Sequence, residues 1–272
     1  ARAMTITNMR TIIVTALCVA SLPVSRAAED IETVGRTVFE KYADSVVTVA
    51  LTVEIQMSLG TRNQSSEGAI EVPATVMSEK GLLAVSNSAI DVAAQVRQQI
   101  GSQVPAGMEF DVSTSIKSAM IIMPDGADVP AKVVLQDADL DVAFLQADIP
   151  EVVAGEDAPP VKFTAVPVVD GEKAPKLEPL EDIIVLGRTD KSLNRITTVN
   201  VGQIETVIRR PRLIYRANIA GNGQPVFNGN GELLGLFLRQ SSGDAAGAVI
   251  IRPVQDVLKV AKQIEESGTA KE

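Results

Sequence analysis

The sequence predicts an all-β fold, a barrel or a sandwich, because many short apolar runs follow one another with turn residues between them. The longest run alternates in apolar character from Val47 to Met57, which is the period of a half-buried strand. Most of the other runs are bounded by Gly, Pro, Asn or Asp, as at Pro124-Asp125-Gly126. These shorter runs lie at residues 69–77, 81–86, 118–123, 131–136, 141–146, 182–187, 195–201, 203–208, 212–216 and 232–238.

One helix is predicted before the first strand and another after the last strand. Apolar residues recur at helical spacing from Ile31 onward, and a second apolar stripe follows Pro253, which suits a first helical position. Residues 148–180 are rich in Pro, Gly and acidic residues, which is typical of a linker between two β units. We therefore divide the mature chain into an N-terminal unit over 28–147, this linker, and a C-terminal unit with its closing helix over 181–272.

The first 27 residues have the pattern of a secretory signal peptide. Met9-Arg10 gives a positive start, residues 11–24 are apolar, and Ser25-Arg26-Ala27 places small residues at its first and third positions. An apolar run of about 14 residues is shorter than the roughly 20 that a membrane-spanning helix needs. We expect cleavage near Ala27 or Ala28, a periplasmic or secreted mature protein, and no membrane attachment afterwards.

Composition limits the chemistry that the chain can perform. The 272 residues include no His and one Cys, Cys18, inside the predicted signal peptide. The usual ligands for zinc, copper, haem and iron–sulfur clusters are therefore missing, and we expect no metal or other cofactor. The commonest general base is missing too. A formal charge of −9 and an aromatic content of 3% argue against nucleic acid and anionic membranes as partners.

Several segments, in chain order, resemble the Deg (HtrA) type of trypsin-like serine protease. Residues 81–91, GLLAVSNSAID, are similar to the family's histidine segment G-x-I-L-T-N-N-H-V-V-D, and residues 141–145, DVAFL, to its aspartate segment D-L-A-V-L. Residues 221–225, GNGQP, are similar to its serine segment N-S-G-G-P. The resemblance extends over roughly residues 30–266. It implies the chymotrypsin fold, two six-stranded antiparallel β-barrels with short N-terminal and C-terminal helices.

The resemblance places the catalytic triad of the family at Ser88, Asp141 and Asn222. Ser88 stands where the family has His, and a serine hydroxyl has no useful basicity near neutral pH. Asn222 stands where the family has the nucleophilic Ser; if the segment is aligned on Gly221-Asn222 instead, Gly223 takes that place. Asp141 keeps an acid, and we expect its carboxylate to be hydrogen-bonded to Ser88 and to nearby backbone N–H groups.

The loop that supplies the oxyanion hole in the family also departs from the pattern. Ala220 and Gln224 stand at glycine positions, next to Gly221 and Gly223. Glycine adopts backbone conformations that other residues resist, so we expect the two N–H donors not to converge on one point. The resemblance also implies a strand edge for a bound peptide, formed by Leu238, Arg239 and Gln240.

We interpret the chain as an exported, non-catalytic homologue of these proteases, with no intact triad, that binds a peptide or a protein. Two alternatives stay open: a hydrolase with an unrecognised nucleophile, and a structural subunit that assembles with active homologues. A homo-oligomer is also open, since the family is commonly oligomeric. Residues 91–118 are an insertion relative to the family, interpreted as a surface loop with at least one helical turn or, alternatively, as a partner-binding lid.

Overall fold

The computed structural model describes residues 30–104, 108–149, 161–167, 175–242 and 245–269. Its strands form two closed antiparallel barrels of six strands each, so the predicted fold class is confirmed. The predicted signal peptide lies outside the described residues, as does much of the predicted linker. Among the described residues, no helix is both long and apolar enough to cross a membrane.

The N-terminal barrel closes around an interior of aliphatic side chains. Its six strands are β1 (Val46–Leu59), β2 (Arg62–Val76), β3 (Leu82–Ser86), β4 (Phe110–Ile122), β5 (Asp128–Asp137) and β6 (Val142–Ala147). They are hydrogen-bonded in the order β1-β2-β3-β6-β5-β4. Alternate residues of β1, among them Val47, Val49 and Leu51, point inward and are buried, as the period of two predicts.

The C-terminal barrel repeats this construction with more aromatic residues. Its six strands are β7 (Asp182–Arg188), β8 (Thr197–Ile208), β9 (Ile214–Ala217), β10 (Pro225–Asn228), β11 (Leu233–Ser242) and β12 (Ala245–Pro253). Their hydrogen-bonded order is β10-β11-β12-β9-β8-β7. Ile183, Tyr215, Val226 and Phe237 fill the interior, and each is almost completely buried.

In the described parts of the chain, four α-helices accompany the barrels: α1 (Ile31–Tyr42), α2 (Asn87–Ile90), α3 (Val92–Ile100) and α4 (Val254–Thr269). The first and last match the two predicted helices, although Pro253 ends β12 and the helix begins one residue later. Both pack on the C-terminal barrel, α1 against β7 and β8 and α4 against β11 and β12.

A third hydrophobic cluster lies between the barrels and holds them together. It contains Phe144 from the N-terminal barrel, Leu186 and Phe227 from the C-terminal barrel, and the apolar faces of α1 and α4. The rings of Tyr42 and Phe227 stack with their centroids 5.5 Å apart. Burial of apolar surface shared by both barrels fixes their relative position, and the loops that meet at this junction are fixed with them.

The prediction of a surface loop over residues 91–118 is wrong for the second half of that segment. Residues 92–100 form α3, but residues 110–118 belong to β4 and pair with the outer part of β1, with Thr114 opposite Ile55. The long β1 has two edges, and β2 covers only one of them. Residues 110–118 pair with the other edge. The backbone hydrogen bonds that they make there favour a strand despite their polar composition.

The strand boundaries also differ from the predictions at other places. The runs 195–201 and 203–208 form one continuous strand, β8, while β10 and β12 carry no predicted strand. In the predicted linker, the described residues 161–167 lie against the N-terminal barrel. Phe163 and Val166 are buried there, and the Val166 N–H donates to the Val76 carbonyl at 2.9 Å.

Polar contacts near the junction add to the shared hydrophobic cluster. The half-buried Arg188 of β7 donates from Nε to the Val46 carbonyl of β1 and from Nη1 to the Arg195 carbonyl at 2.7 Å. Arg195 in turn donates to both carboxylate oxygens of Glu71 on β2, at 2.9 and 2.6 Å. A bidentate pair of this kind is the geometry that arginine and carboxylate prefer.

The Glu71–Arg195 pair predicts an acid-dependent loss of stability. The hydrogen bond from Arg195 lowers the pKa of Glu71 below its ordinary value. The stabilisation is therefore fully present above the unfolded pKa of about 4.3 and is lost as the pH falls through the lower, folded pKa. Urea unfolding at several pH values should show Glu71→Gln less stable than the wild type at pH 7, with the difference vanishing in acid. The exposed Glu205→Gln is the control, and an equal, pH-independent loss in both variants would contradict the prediction.

Candidate active site

The three triad-equivalent positions gather where the two barrels meet. Ser88 lies in α2 directly after β3, Asp141 in the turn before β6, and Asn222 in the loop before β10. The loop before β10 touches the N-terminal barrel, since a Cβ added to Gly223 would stand 3.2 Å from the Ser86 nitrogen. The sequence therefore brings all three segments to one junction.

Asp141 is the centre of this junction. Its side chain is buried, with 1% of the residue exposed, and its backbone is in the left-handed region at φ 58°. Oδ2 accepts hydrogen bonds from the Ser86 hydroxyl at 2.7 Å and from the Arg239 N–H at 2.6 Å, and Oδ1 accepts one from the Ser88 N–H at 2.7 Å. Its carbonyl accepts from the Asn87 N–H at 3.0 Å. The carboxylate thus joins groups from both barrels, and short bonds to a charged acceptor are among the stronger ones.

Ser88 meets Asp141 through its backbone and not through its hydroxyl. The Ser88 Oγ lies 3.0 Å from the Ser86 Oγ, and it is Ser86 whose hydroxyl reaches the carboxylate. The resulting chain runs Ser88, Ser86, Asp141 through two hydroxyl groups. Sequence reasoning missed Ser86, although its place two residues before the histidine-equivalent position was a usable signal.

The loop of residues 220–224, called the elbow below, is held by contacts with both barrels. The Asn222 N–H donates to the side-chain oxygen of Gln224 at 3.2 Å. The Gly223 N–H donates to the Phe237 carbonyl at 2.7 Å, and the Phe237 N–H donates to the Gln224 carbonyl at 2.9 Å. The Thr75 hydroxyl of β2 donates to the Gly223 carbonyl at 2.7 Å, a buried contact across the junction. Gly223 has φ +77°, a conformation in which glycine is favoured.

A concave pocket lies beside the elbow. Its volume is about 360 Å³, and its lining residues are Val185, Gly187, Asn200, Val201, Ile219, Ala220 and Gln224. Ala220 is exposed, so it is accessible from solvent. Among the described residues, no cluster of three or more Asp or Glu side chains could hold a metal ion.

The three residues of the implied peptide edge all lie in β11. Their cross-strand partners in β12 are Ile250, Val249 and Ala248, in that order. Leu238 is buried in the cluster between the barrels, and the Arg239 N–H is bound to Asp141. On its other side β11 pairs with β10 only over residues 233–236, so in the described structure residues 238–240 have no strand partner there. This part of the strand lies next to Asp141, at the junction.

Comparisons with known proteins agree with this architecture. The family model of the trypsin-like peptidase domain matches residues 76–236, more than half of the chain. No curated protein sequence matches. Among solved structures, HtrA-type protease AlgW with a decapeptide is similar in fold at 15% identity, with a TM-score of 0.53 over 86% of this chain and 68% of that one. This chain therefore belongs to the family of trypsin-like peptidase domains.

Proposed function

We propose that this chain is an exported trypsin-like domain that binds polypeptide at the junction of its barrels without cleaving it. The observation that carries the proposal is the chemistry of the triad-equivalent positions: a hydroxyl at Ser88, a carboxamide at Asn222, and a carboxylate at Asp141 that already accepts three hydrogen bonds.

Among the residues described at this junction, the triad-equivalent positions offer no suitable base for proton abstraction. The chain contains no histidine, and Ser88 stands where the family has one. The Asp141 carboxylate is buried and already accepts three hydrogen bonds. In the triad mechanism the aspartate orients an imidazole and does not itself take the proton, so Asp141 cannot replace the missing group.

Two of the hydroxyl groups at the junction are also engaged as donors, and a third, that of Ser88, lies 3.0 Å from the Ser86 hydroxyl, which is not a base. Ser86 is buried and donates to Asp141, while Thr75 donates to the carbonyl of Gly223. A serine or threonine becomes a nucleophile when a base accepts its proton and when its oxygen can reach the substrate. None of these hydroxyls meets both conditions, which disfavours the hydrolase alternative.

Polypeptide is the ligand that the fold favours. The strand segment 238–240 has one side without a strand partner in the described structure. The Arg239 N–H is bound to Asp141, so an extended peptide would add to this edge through the other main-chain groups. AlgW, similar in fold, is recorded with a decapeptide. The signal-peptide pattern over residues 1–27 supports export of the mature protein.

Binding without cleavage can be tested with fluorescein-labelled, denatured casein. The wild type is expected to raise the anisotropy of the label while gel electrophoresis shows intact casein, and a fluorophosphonate probe is expected not to label the protein. Ala220→Trp should weaken binding by about tenfold or more, because a large side chain at an exposed elbow position fills the adjacent pocket. The control is Asn230→Trp, an exposed turn position between β10 and β11.

Three outcomes would contradict the proposal. Fluorophosphonate labelling that disappears in Ser88→Ala would identify an active hydroxyl and an enzyme. Failure of the wild type to bind casein would argue against polypeptide binding. Equal weakening by Ala220→Trp and Asn230→Trp would place the binding surface away from the elbow.

A further inference from the structure

The side chain of Gln224 lies in a slot between two glycines. A Cβ added to Gly187 of β7 would stand 3.0 Å from the Gln224 Nε2, and a Cβ added to Gly221 would stand 2.4 Å from its Oε1. The second distance is shorter than real Cβ contacts allow. The carboxamide can hold this position because Gly221 lacks a side chain, whereas a Cβ at Gly187 would require only a small shift.

The resemblance to the Deg proteases shows how unusual this arrangement is. Their serine segment N-S-G-G-P has a side chain at the position of Gly221 and none at the position of Gln224. In this chain residue 221 is glycine and residue 224 carries a side chain. The change at 221 removes the side chain that would collide with the carboxamide, and the change at 224 supplies the carboxamide.

The carboxamide oxygen accepts a hydrogen bond from a backbone N–H that faces the substrate in active relatives. The Asn222 N–H donates to the Gln224 Oε1 at 3.2 Å. In a trypsin-like protease the N–H at the serine position points to the developing oxyanion. The N–H and C=O groups of Gly223 and the carbonyl of Gln224 have partners in Phe237 and Thr75.

We propose that Gln224 is an internal ligand of the elbow, which occupies the Asn222 N–H and keeps carbonyl and carboxylate oxygens of a bound polypeptide away from it. Polypeptide then binds through the strand edge and the pocket, and the elbow contributes no anion-binding site. Shortening residue 224 to glycine opens that site. The location of the ligand rests on the proposed function, but the Gln224 contact itself does not.

The contact can be tested by the exchange rate of the Asn222 amide, measured by NMR on the ¹⁵N-labelled full chain. Gln224→Gly removes the side chain, and Gln224→Met keeps a similar length without the carboxamide. Both should speed exchange by about tenfold, the effect of losing one hydrogen bond of ordinary net strength on a local opening equilibrium. The Gly223 amide, bound to Phe237, is the internal reference and should keep its rate.

The second part of the proposal is that Gln224 keeps carboxylate oxygens away from the Asn222 N–H, called the closure of the elbow below. It is tested with acetyl-tetraalanine bearing a free carboxylate, and with its C-terminal amide as control. The free acid should shift the Asn222 amide signal of Gln224→Gly and leave that signal unchanged in the wild type; the amide should shift it less in the variant. Gln224→Ala, which also removes the carboxamide and most of the side chain, keeps the test valid if the glycine variant does not fold.

Equal exchange rates in all three proteins would overturn the contact. Equal signal shifts in the wild type and in Gln224→Gly, or no shift in either, would overturn the closure. Neither readout depends on casein binding, so failure of the proposed function would leave both tests interpretable.

Discussion

Asp141→Ala is expected to lower the free energy of unfolding by roughly 3 kcal/mol or more, because it leaves three donors without an acceptor in a buried place and each such loss costs about 1–3 kcal/mol. The donors are the Ser86 hydroxyl and the N–H groups of Ser88 and Arg239. Two of them belong to one barrel and the third to the other, so the substitution should weaken the contact between the two barrels.

Urea unfolding followed by circular dichroism gives this difference. Asp139→Ala is a matched control, since Asp139 lies two residues away in the same turn and is exposed. Its effect should stay within about 0.5 kcal/mol. Asp141→Asn should be intermediate, because asparagine tolerates the left-handed backbone but has only one acceptor oxygen. A loss no larger in Asp141→Ala than in Asp139→Ala would contradict the role of the carboxylate as an anchor.

Restoring Ser88→His and Asn222→Ser together is expected not to recover the activity of an intact trypsin-like protease. The chemistry needs the two side chains and also N–H donors for the oxyanion, and removing one such donor costs roughly 100- to 1000-fold in other serine hydrolases. In the double mutant the donor at position 222 would still be held by Gln224. Adding Ala220→Gly and Gln224→Gly should therefore raise activity above that of the double mutant.

The comparison is made by peptide cleavage with all variants at equal concentration. A triple variant with Ser88→His, Asn222→Ser and Gln224→Gly shows how much of the gain comes from residue 224 alone. If the double mutant already cleaves at the rate of active relatives, the elbow provides a working oxyanion hole and Gln224 does not block it.

Periodicity predicted the parts of the fold in which one face is buried along a continuous run. The run from Val47 to Met57 lies within β1, and the helical spacing from Ile31 gives α1. Strands β10 and β12 and the first part of β4 were not predicted, because local sequence did not define them. β10 has only four residues next to a turn, and residues 110–118 are mostly polar, so their strand depends on the free edge of β1.

The candidate site was predictable in position but not in its contacts. Motif order identified Ser88, Asp141 and Asn222, and the structure places their segments at one junction. That Ser86 and not Ser88 supplies the hydroxyl to Asp141 depends on rotamers within a single turn. The slot for Gln224 is bounded on one side by a glycine in a strand that is distant in sequence, which no local pattern can reveal.

The packing of α1 has a consequence for the order of folding. The N-terminal barrel can close from residues 46–147 alone, whereas α1, which precedes it in the chain, packs on strands of the C-terminal barrel. Its buried residues Val34 and Val38 have no complete surface to cover until those strands have formed. Contacts between segments so far apart in the chain close slowly, because a long loop must be ordered first. Docking of the first helix is therefore expected to be a late event, so that an element preceding both barrels in the chain would complete the fold.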